Sequence, residues 1–186
     1  MPGLKVVCPA TPYDAKGLLI AAIEDPDPVL FLESMRSYRS FKEVVPSESY
    51  TVEIGKARCV SEGTDVTLIA WGAMVQVAQK AATAAQERGI SCEVLDLRTL
   101  YPLDRETIAA SVQKTGRAVI VHEAAAMGGL GNDLVTLIND TAFLYLRAPI
   151  ARVTGFDVPV PLFALEDHYI PTPERVLTTI QRTVEF

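Results

Sequence analysis

The sequence predicts an α/β fold, a mostly parallel sheet with helices on both faces, and three observations carry that expectation. The runs at 66–71, 91–97 and 118–121 are apolar and β-branched over the length of a strand buried on both sides. Segments of helical period separate them: 74–88, with Met74, Val77, Ala78, Ala81 and Ala85 on one face, and 105–115, with Ile108, Ala109 and Val112. The strand–helix unit then recurs, which favours parallel pairing by crossovers and a sheet of about five strands.

Residues 4–8 form a strand-like run that begins almost at once, and Met1-Pro2-Gly3 supplies no natural start for it, so a fragment of a longer protein is expected. Thr11-Pro12 is a helix entry, with Thr11 as cap, Pro12 at the first helical position and Asp14 completing the arrangement. Leu18, Leu19, Ala22 and Ile23 lie on neighbouring faces of this helix, which stops at Glu24-Asp25-Pro26-Asp27-Pro28 because proline removes a donor and disfavours helix before it. A short strand at 29–32 completes a β-α-β unit too small to bury a core of its own. Residues 35–63 read as an interdomain linker that packs on a surface through Met35, Tyr38, Phe41, Val44 and Val45.

Further on, Gly89 caps the helix at 74–88, Asp104 is an N-cap, and Gly116 ends the helix it opens. His122 and Glu123 stand where strand 118–121 ends, the edge at which open α/β sheets place ligands or partners. Gly128, Gly129 and Gly131 then turn the chain into a helix bearing Leu130, Leu134, Leu137 and Ile138. A strand at 150–153, a proline-rich crossing at 157–171 and a last helix opened by Thr172-Pro173-Glu174 finish the chain. The expected division is 1–34, the linker 35–63, and a main domain over 64–186.

Composition narrows the function. At 186 residues with 49% hydrophobic and 22% charged residues the chain can bury a real core. A net charge of −6 without a basic cluster argues against nucleic acid. No apolar run is long enough to span a bilayer. Cys8, Cys59 and Cys92 are odd in number and lack C-x-x-C spacing, so neither a disulfide framework nor a zinc site is expected. Gly129-Leu130-Gly131 resembles a phosphate loop only in part, since Leu134 stands where the third glycine belongs. His122 with Glu123 reads either as a general base with its orienting carboxylate or as a strand-end histidine at a contact. Asp25 and Asp27 offer oxygens to a hard cation, although such pairs are more often simply solvated.

Several blocks carry a resemblance along essentially the whole chain. Pro9-Ala10-Thr11-Pro12-Tyr13-Asp14-Ala15-Lys16-Gly17-Leu18-Leu19, Asp27-Pro28-Val29-Leu30-Phe31-Leu32-Glu33 and Tyr38-Arg39 resemble the β subunit of the thiamine-diphosphate-dependent 2-oxo acid dehydrogenases. Gly63-Thr64-Asp65-Val66-Thr67-Leu68-Ile69-Ala70-Trp71-Gly72, Val94-Leu95-Asp96-Leu97-Arg98-Thr99 and Lys114-Thr115-Gly116-Arg117 are similar to its C-terminal, transketolase-like domain. The resemblance implies that 1–34 is the end of a pyrimidine-binding domain, a β-α-β remnant, and 64–186 the transketolase-like domain. It implies an α2β2 enzyme in which thiamine diphosphate and magnesium lie outside these residues, so no catalytic or cofactor-binding residue is carried over and the chain alone is expected to be inactive.

The same resemblance implies partners: the α subunit, a second β subunit, and the subunit-binding domain of an acyltransferase. It suggests a β–β contact at His122, Glu123, Gly128, Gly129 and Gly131, acyltransferase docking at Glu185 and Phe186, and a partial potassium half-site at Ala22, Asp25 and Asp27. His122-Glu123-Ala124, Ala148-Pro149-Ile150 and 152–157 favour the branched-chain, 2-oxoisovalerate members; Tyr38-Arg39-Ser40-Phe41 equally suits pyruvate members, and acetoin is a further alternative. A cytoplasmic or mitochondrial-matrix setting follows. A reading of another class, a free-standing nucleotide-binding or regulatory module, is disfavoured by the orphan unit at 4–32.

Overall fold

The computed structural model describes residues 3–161 and 164–186. Met1 and Pro2, and residues 162 and 163 of the proline-rich crossing, lie outside the described residues. The main unit is a five-stranded sheet of β3 (Arg58–Ser61), β4 (Val66–Ala70), β5 (Cys92–Asp96), β7 (Ala118–Val121) and β8 (Ala151–Val153), in the order β3-β5-β4-β7-β8. All neighbours are parallel except β3, which runs antiparallel to β5 at the edge.

Alternation along the strands divides the core in two. Leu68, Ala70, Val94, Val119 and Val121 face one way, against α2 (Met74–Gln86) and α6 (Pro173–Val184). Ile69, Ala118 and Ile120 face the other way, against α3 (Arg105–Thr115) and α4 (Leu130–Ala142). Both faces are therefore covered, and Leu68, Ile69, Leu95 and Ile120 are buried completely or nearly so, each side chain contributing roughly 1.5–3 kcal/mol by leaving water. Thr67 is the one polar residue inside β4; its hydroxyl lies 2.8 Å from those of Ser111 and Thr115, so its burial leaves no unmade bond.

The helix ends follow the local signals. The Thr11 hydroxyl accepts the Asp14 amide at the start of α1 (Pro12–Glu24), Asp104 accepts the Thr107 amide at α3, and Thr172 accepts the Arg175 amide at α6. Gly116 takes φ +71° at the end of α3 and its amide returns to the Val112 carbonyl at 2.8 Å. Another glycine is fixed by proximity: a Cβ on Gly63 would lie 2.1 Å from the Cys92 carbonyl carbon, so the connection from β3 to β4 passes too close to the start of β5 to admit a side chain there.

A second, three-stranded sheet has the order β2-β1-β6, with β1 (Lys5–Val7) parallel to β2 (Val29–Phe31) and antiparallel to β6 (Thr99–Tyr101). Four sequence expectations are corrected here. The stretch 35–63 is not wholly linker, because β3 lies within it and belongs to the main sheet. The N-terminal unit is not only β-α-β, because β6 reaches back from the main unit to pair with β1. The proline-rich crossing contains a short helix, α5 (Glu166–Tyr169). The helix expected over 74–88 ends at Gln86. The connecting segment does pack, but not mainly through the residues expected: Met35, Tyr38 and Val44 are exposed, whereas Val52 is buried with Val7 and Leu18 and Tyr50 stacks on Tyr13 with ring centroids 4.5 Å apart.

Candidate functional site

Where β1, β4 and β7 end, a cleft of about 480 Å³ opens between the two sheets, its lining including Cys8, Glu33, Arg36, Trp71, His122, Glu123 and Glu166. Its floor follows from topology, since the carboxyl ends of adjacent parallel strands leave a crevice that crossover helices do not fill. His122 continues β7, its amide donating to the Val153 carbonyl at 2.9 Å. Its ring is 9% exposed as a residue and lies against Trp71, centroids 4.6 Å apart. Gly129 makes room for it, because a Cβ there would sit 2.5 Å from the His122 Cε1. Burial, and secondarily the Arg152 charge, hold the His122 pKa below its ordinary 6.5, so the ring is neutral at pH 7. Burial pushes Glu123 up, opposed by nearby Arg36. Burial also raises the Cys8 thiol to about 12, which leaves it a poor nucleophile.

Arg36 straps the cleft: its guanidinium meets Glu166 at 3.3 Å and Asp167 at 3.0 Å on α5. Below the cleft, a buried charge cluster joins the two sheets. Arg98, at φ +54°, places its guanidinium 2.5 Å from Asp14 Oδ1, and Arg58 reaches Asp14 Oδ2 at 3.5 Å. Asp96, fully buried, accepts the Arg98 amide at 3.0 Å through one oxygen, while Oδ2 has no hydrogen-bond partner among the described residues. Desolvation pushes its pKa up to about 7. Sequence reasoning recognised Asp14 as a capping residue and Asp96-Leu97-Arg98 as a family block, but not that the fold brings them together.

The residues singled out from sequence separate in space. His122 and Gly131 are buried, Glu123 and Gly129 are half-buried, and Gly128 is exposed beside Met127, which is 77% exposed. His122 and Glu123 thus face the inner cleft, and the outer surface of this stretch is the turn itself. Glu185 and Phe186 are exposed at the end of α6; Phe186 borders a hollow with Phe143, Leu144, Pro149 and Ile150.

At the expected half-site, Asp25 holds the Lys5 ammonium through both oxygens, at 2.7 and 2.8 Å, and Asp27 meets it at 3.2 Å. Lys5 lowers the Asp25 pKa in return. These two carboxylates therefore already serve an internal cation, and with Ala22 they offer potassium a place only if Lys5 withdraws. Cys59, Glu62 and Glu93 bring ligand atoms together elsewhere, but Lys114 lies between the two carboxylates and bonds both.

The residues present do not fit thiamine diphosphate with magnesium. No Gly-Asp-Gly metal-diphosphate motif occurs in the sequence, and the cleft presents the carboxylates of Glu33, Glu123 and Glu166, which would repel a diphosphate.

Comparison with known proteins agrees with the architecture. The chain matches the family described as transketolase, C-terminal domain, over residues 55–176, and transketolase, pyrimidine binding domain, over residues 1–40. It is 52% identical over 185 residues to the pyruvate dehydrogenase E1 component subunit beta of Bacillus subtilis and 50% identical over 182 residues to that of Acholeplasma laidlawii, covering 100% and 98% of this chain. It spans 57% and 56% of the length of those two relatives. Among solved structures, a split gene transketolase described as an inactive beta4 tetramer superposes with a TM-score of 0.82 at 29% identity, over 100% of this chain and 58% of that one. A transketolase from Pichia stipitis superposes at 0.61 and 15% identity, over 100% of this chain and 26% of that one, a likeness of fold alone. The match beginning at residue 55 agrees with β3 belonging to the main sheet. The chain belongs to the transketolase C-terminal domain family, with a stretch that matches the transketolase pyrimidine binding domain ahead of it.

Proposed function

We propose that this chain forms the carboxyl-terminal part of the β subunit of a thiamine-diphosphate-dependent 2-oxo acid dehydrogenase, an oxidoreductase, with pyruvate as the oxo acid. The observation that carries the reading is identity of about half along the whole chain to proteins named as pyruvate dehydrogenase E1 beta subunits. The branched-chain preference read from the sequence gives way to pyruvate on that ground, since these relatives are named for pyruvate and not for 2-oxoisovalerate. In this reading the chain contributes association and docking, while thiamine diphosphate and magnesium are bound by the rest of the β subunit and by the α subunit.

Association with a second β subunit would use the exposed turn at Met127 and Gly128, not the enclosed His122. Docking of a basic acyltransferase domain would use Glu185 and the Phe186 carboxylate, an attraction that salt screens. Potassium at Ala22, Asp25 and Asp27 would require displacement of Lys5. A cytoplasmic or mitochondrial-matrix setting goes with such a complex.

The test pairs the full-length β polypeptide containing this chain with its α subunit and measures decarboxylation with an artificial electron acceptor. Pyruvate should exceed 2-oxoisovalerate by about tenfold or more in kcat/KM. A reversed preference would restore the branched-chain reading, and activity with neither acid would sink the proposal. This chain alone, given cofactor and pyruvate, should show no turnover above the cofactor control.

A further inference from the structure

The cleft between the two sheets holds two polar side chains that have no hydrogen-bond partner among the described residues. His122 is nine-tenths buried, and its ring makes no hydrogen bond among the described residues; Glu123 beside it is half-buried and likewise unbonded. The other charges at the cleft are already committed. Arg36 is held by Glu166 and Asp167, and Glu33 accepts the Tyr38 hydroxyl at 2.9 Å. The lining keeps three carboxylates against one guanidinium. A neutral imidazole offers one ring nitrogen as an acceptor, and a carboxylate offers two oxygens. The floor is therefore rich in acceptors and, even with the Arg152 charge that also bears on His122, keeps more carboxylates than guanidinium groups, with the indole of Trp71 alongside and apolar walls at Met35 and Ile170.

We propose that this cleft is a binding site for a guanidinium group on an alkyl stem, held by Glu123 and His122 and flanked by Trp71. A planar, donor-rich cation matches the acceptors, and the aromatic and apolar surface matches its weakly hydrated face and stem. The group arrives either on a free small molecule or on an arginine side chain of a polypeptide. This assignment stands apart from the dehydrogenase reading, which places no ligand here.

Trp71 is the only tryptophan in the chain and touches His122, so its fluorescence reports on the site directly. The chain is titrated with Nα-acetyl-arginine amide, with a blocked Ala-Arg-Ala peptide, and with Nα-acetyl-citrulline amide, which keeps the shape without the charge. A saturable change with an arginine probe is expected, weakened about tenfold or more in the citrulline analogue and in Glu123→Gln. Binding of the single amino-acid amide alone identifies a small-molecule site; stronger binding of the peptide identifies a polypeptide ligand. His122→Phe, which keeps an aromatic ring against Trp71, should also weaken binding. Unchanged urea midpoints show that the variants are folded. No saturation by either arginine probe at about 10 mM, equal binding of citrulline, or unaltered affinity in Glu123→Gln overturns the proposal.

Discussion

The two sheets of this chain are built to different standards. The five-stranded sheet has a helix pair on each face, and the interior strands β4, β5 and β7 are buried along their whole length. The three-stranded sheet has only two buried strand residues, Val7 and Thr99, and a small core of Val7, Leu18 and Val52. Its outer side leaves Leu19, Ile23 and Leu30 at 45%, 75% and 46% exposure. The first sheet therefore sustains its own core, whereas the second is held by what it borrows: β6, the Tyr50–Val52 packing, and the Asp14–Arg98 ion pair. Family membership adds meaning to the contrast, since the match to the transketolase C-terminal domain covers the robust sheet, while the pyrimidine-binding match covers β1 and β2 of the dependent one and leaves its third strand, β6, to the C-terminal match.

Mutations can break or sharpen that contrast. Leu68→Ala, in a fully buried position of β4, should cost about 3–5 kcal/mol and lower the urea midpoint of the whole chain. A loss below about 1 kcal/mol would mean that the main core is looser than its burial implies.

Asp96→Asn should act next, with a pH signature. The raised pKa of Asp96 means that its contribution is fully present below its unfolded value of 3.8 and is lost as pH rises toward about 7. The interval between those values corresponds to on the order of 4 kcal/mol. The neutral variant should be the more stable above about pH 7, with the advantage fading toward about pH 4. His122 works in the opposite sense, because its lowered pKa removes stability as pH falls below 6.5. Comparing the two chains at each pH cancels that common contribution. A difference that does not vary with pH would refute the account of Asp96.

Asp14→Ala strips Arg98 and Arg58 of their shared carboxylate and should cost about 3 kcal/mol, the lower end for a buried pair because Arg98 retains some contact with water. The loss should fall on the three-stranded sheet, read as faster amide exchange at 5–7 and 29–31 with 118–121 unaffected. The smallest effect belongs to Ile23→Ser on the open face of α1, within about 0.5 kcal/mol. A large loss there would show that this face is covered in solution.

What the sequence disclosed follows the same line. β4, β5 and β7 were legible because each is a continuous apolar run, and the caps at Thr11, Asp104, Thr172 and Gly116 because capping is local chemistry. β3 and β6 were not, since Arg58-Cys59-Val60-Ser61 and Thr99-Leu100-Tyr101 are short and mixed and become strands only through a partner distant in sequence. Gly129 was legible as part of a tight turn; that it also clears space for the His122 ring depends on where the turn folds back. Asp14, Asp96 and Arg98 each looked ordinary, and only their convergence makes a junction. The pairing of Lys5 with Asp25 and Asp27 was hidden for the same reason.

Native-state hydrogen exchange over a series of low urea concentrations tests the unequal-sheet account most directly. Amides in β4, β5 and β7 should exchange only through global unfolding, with free energies that converge on the equilibrium value, while those in β1, α1 and β2 open earlier as a separate, less stable group. A single common opening free energy for both sheets would contradict it.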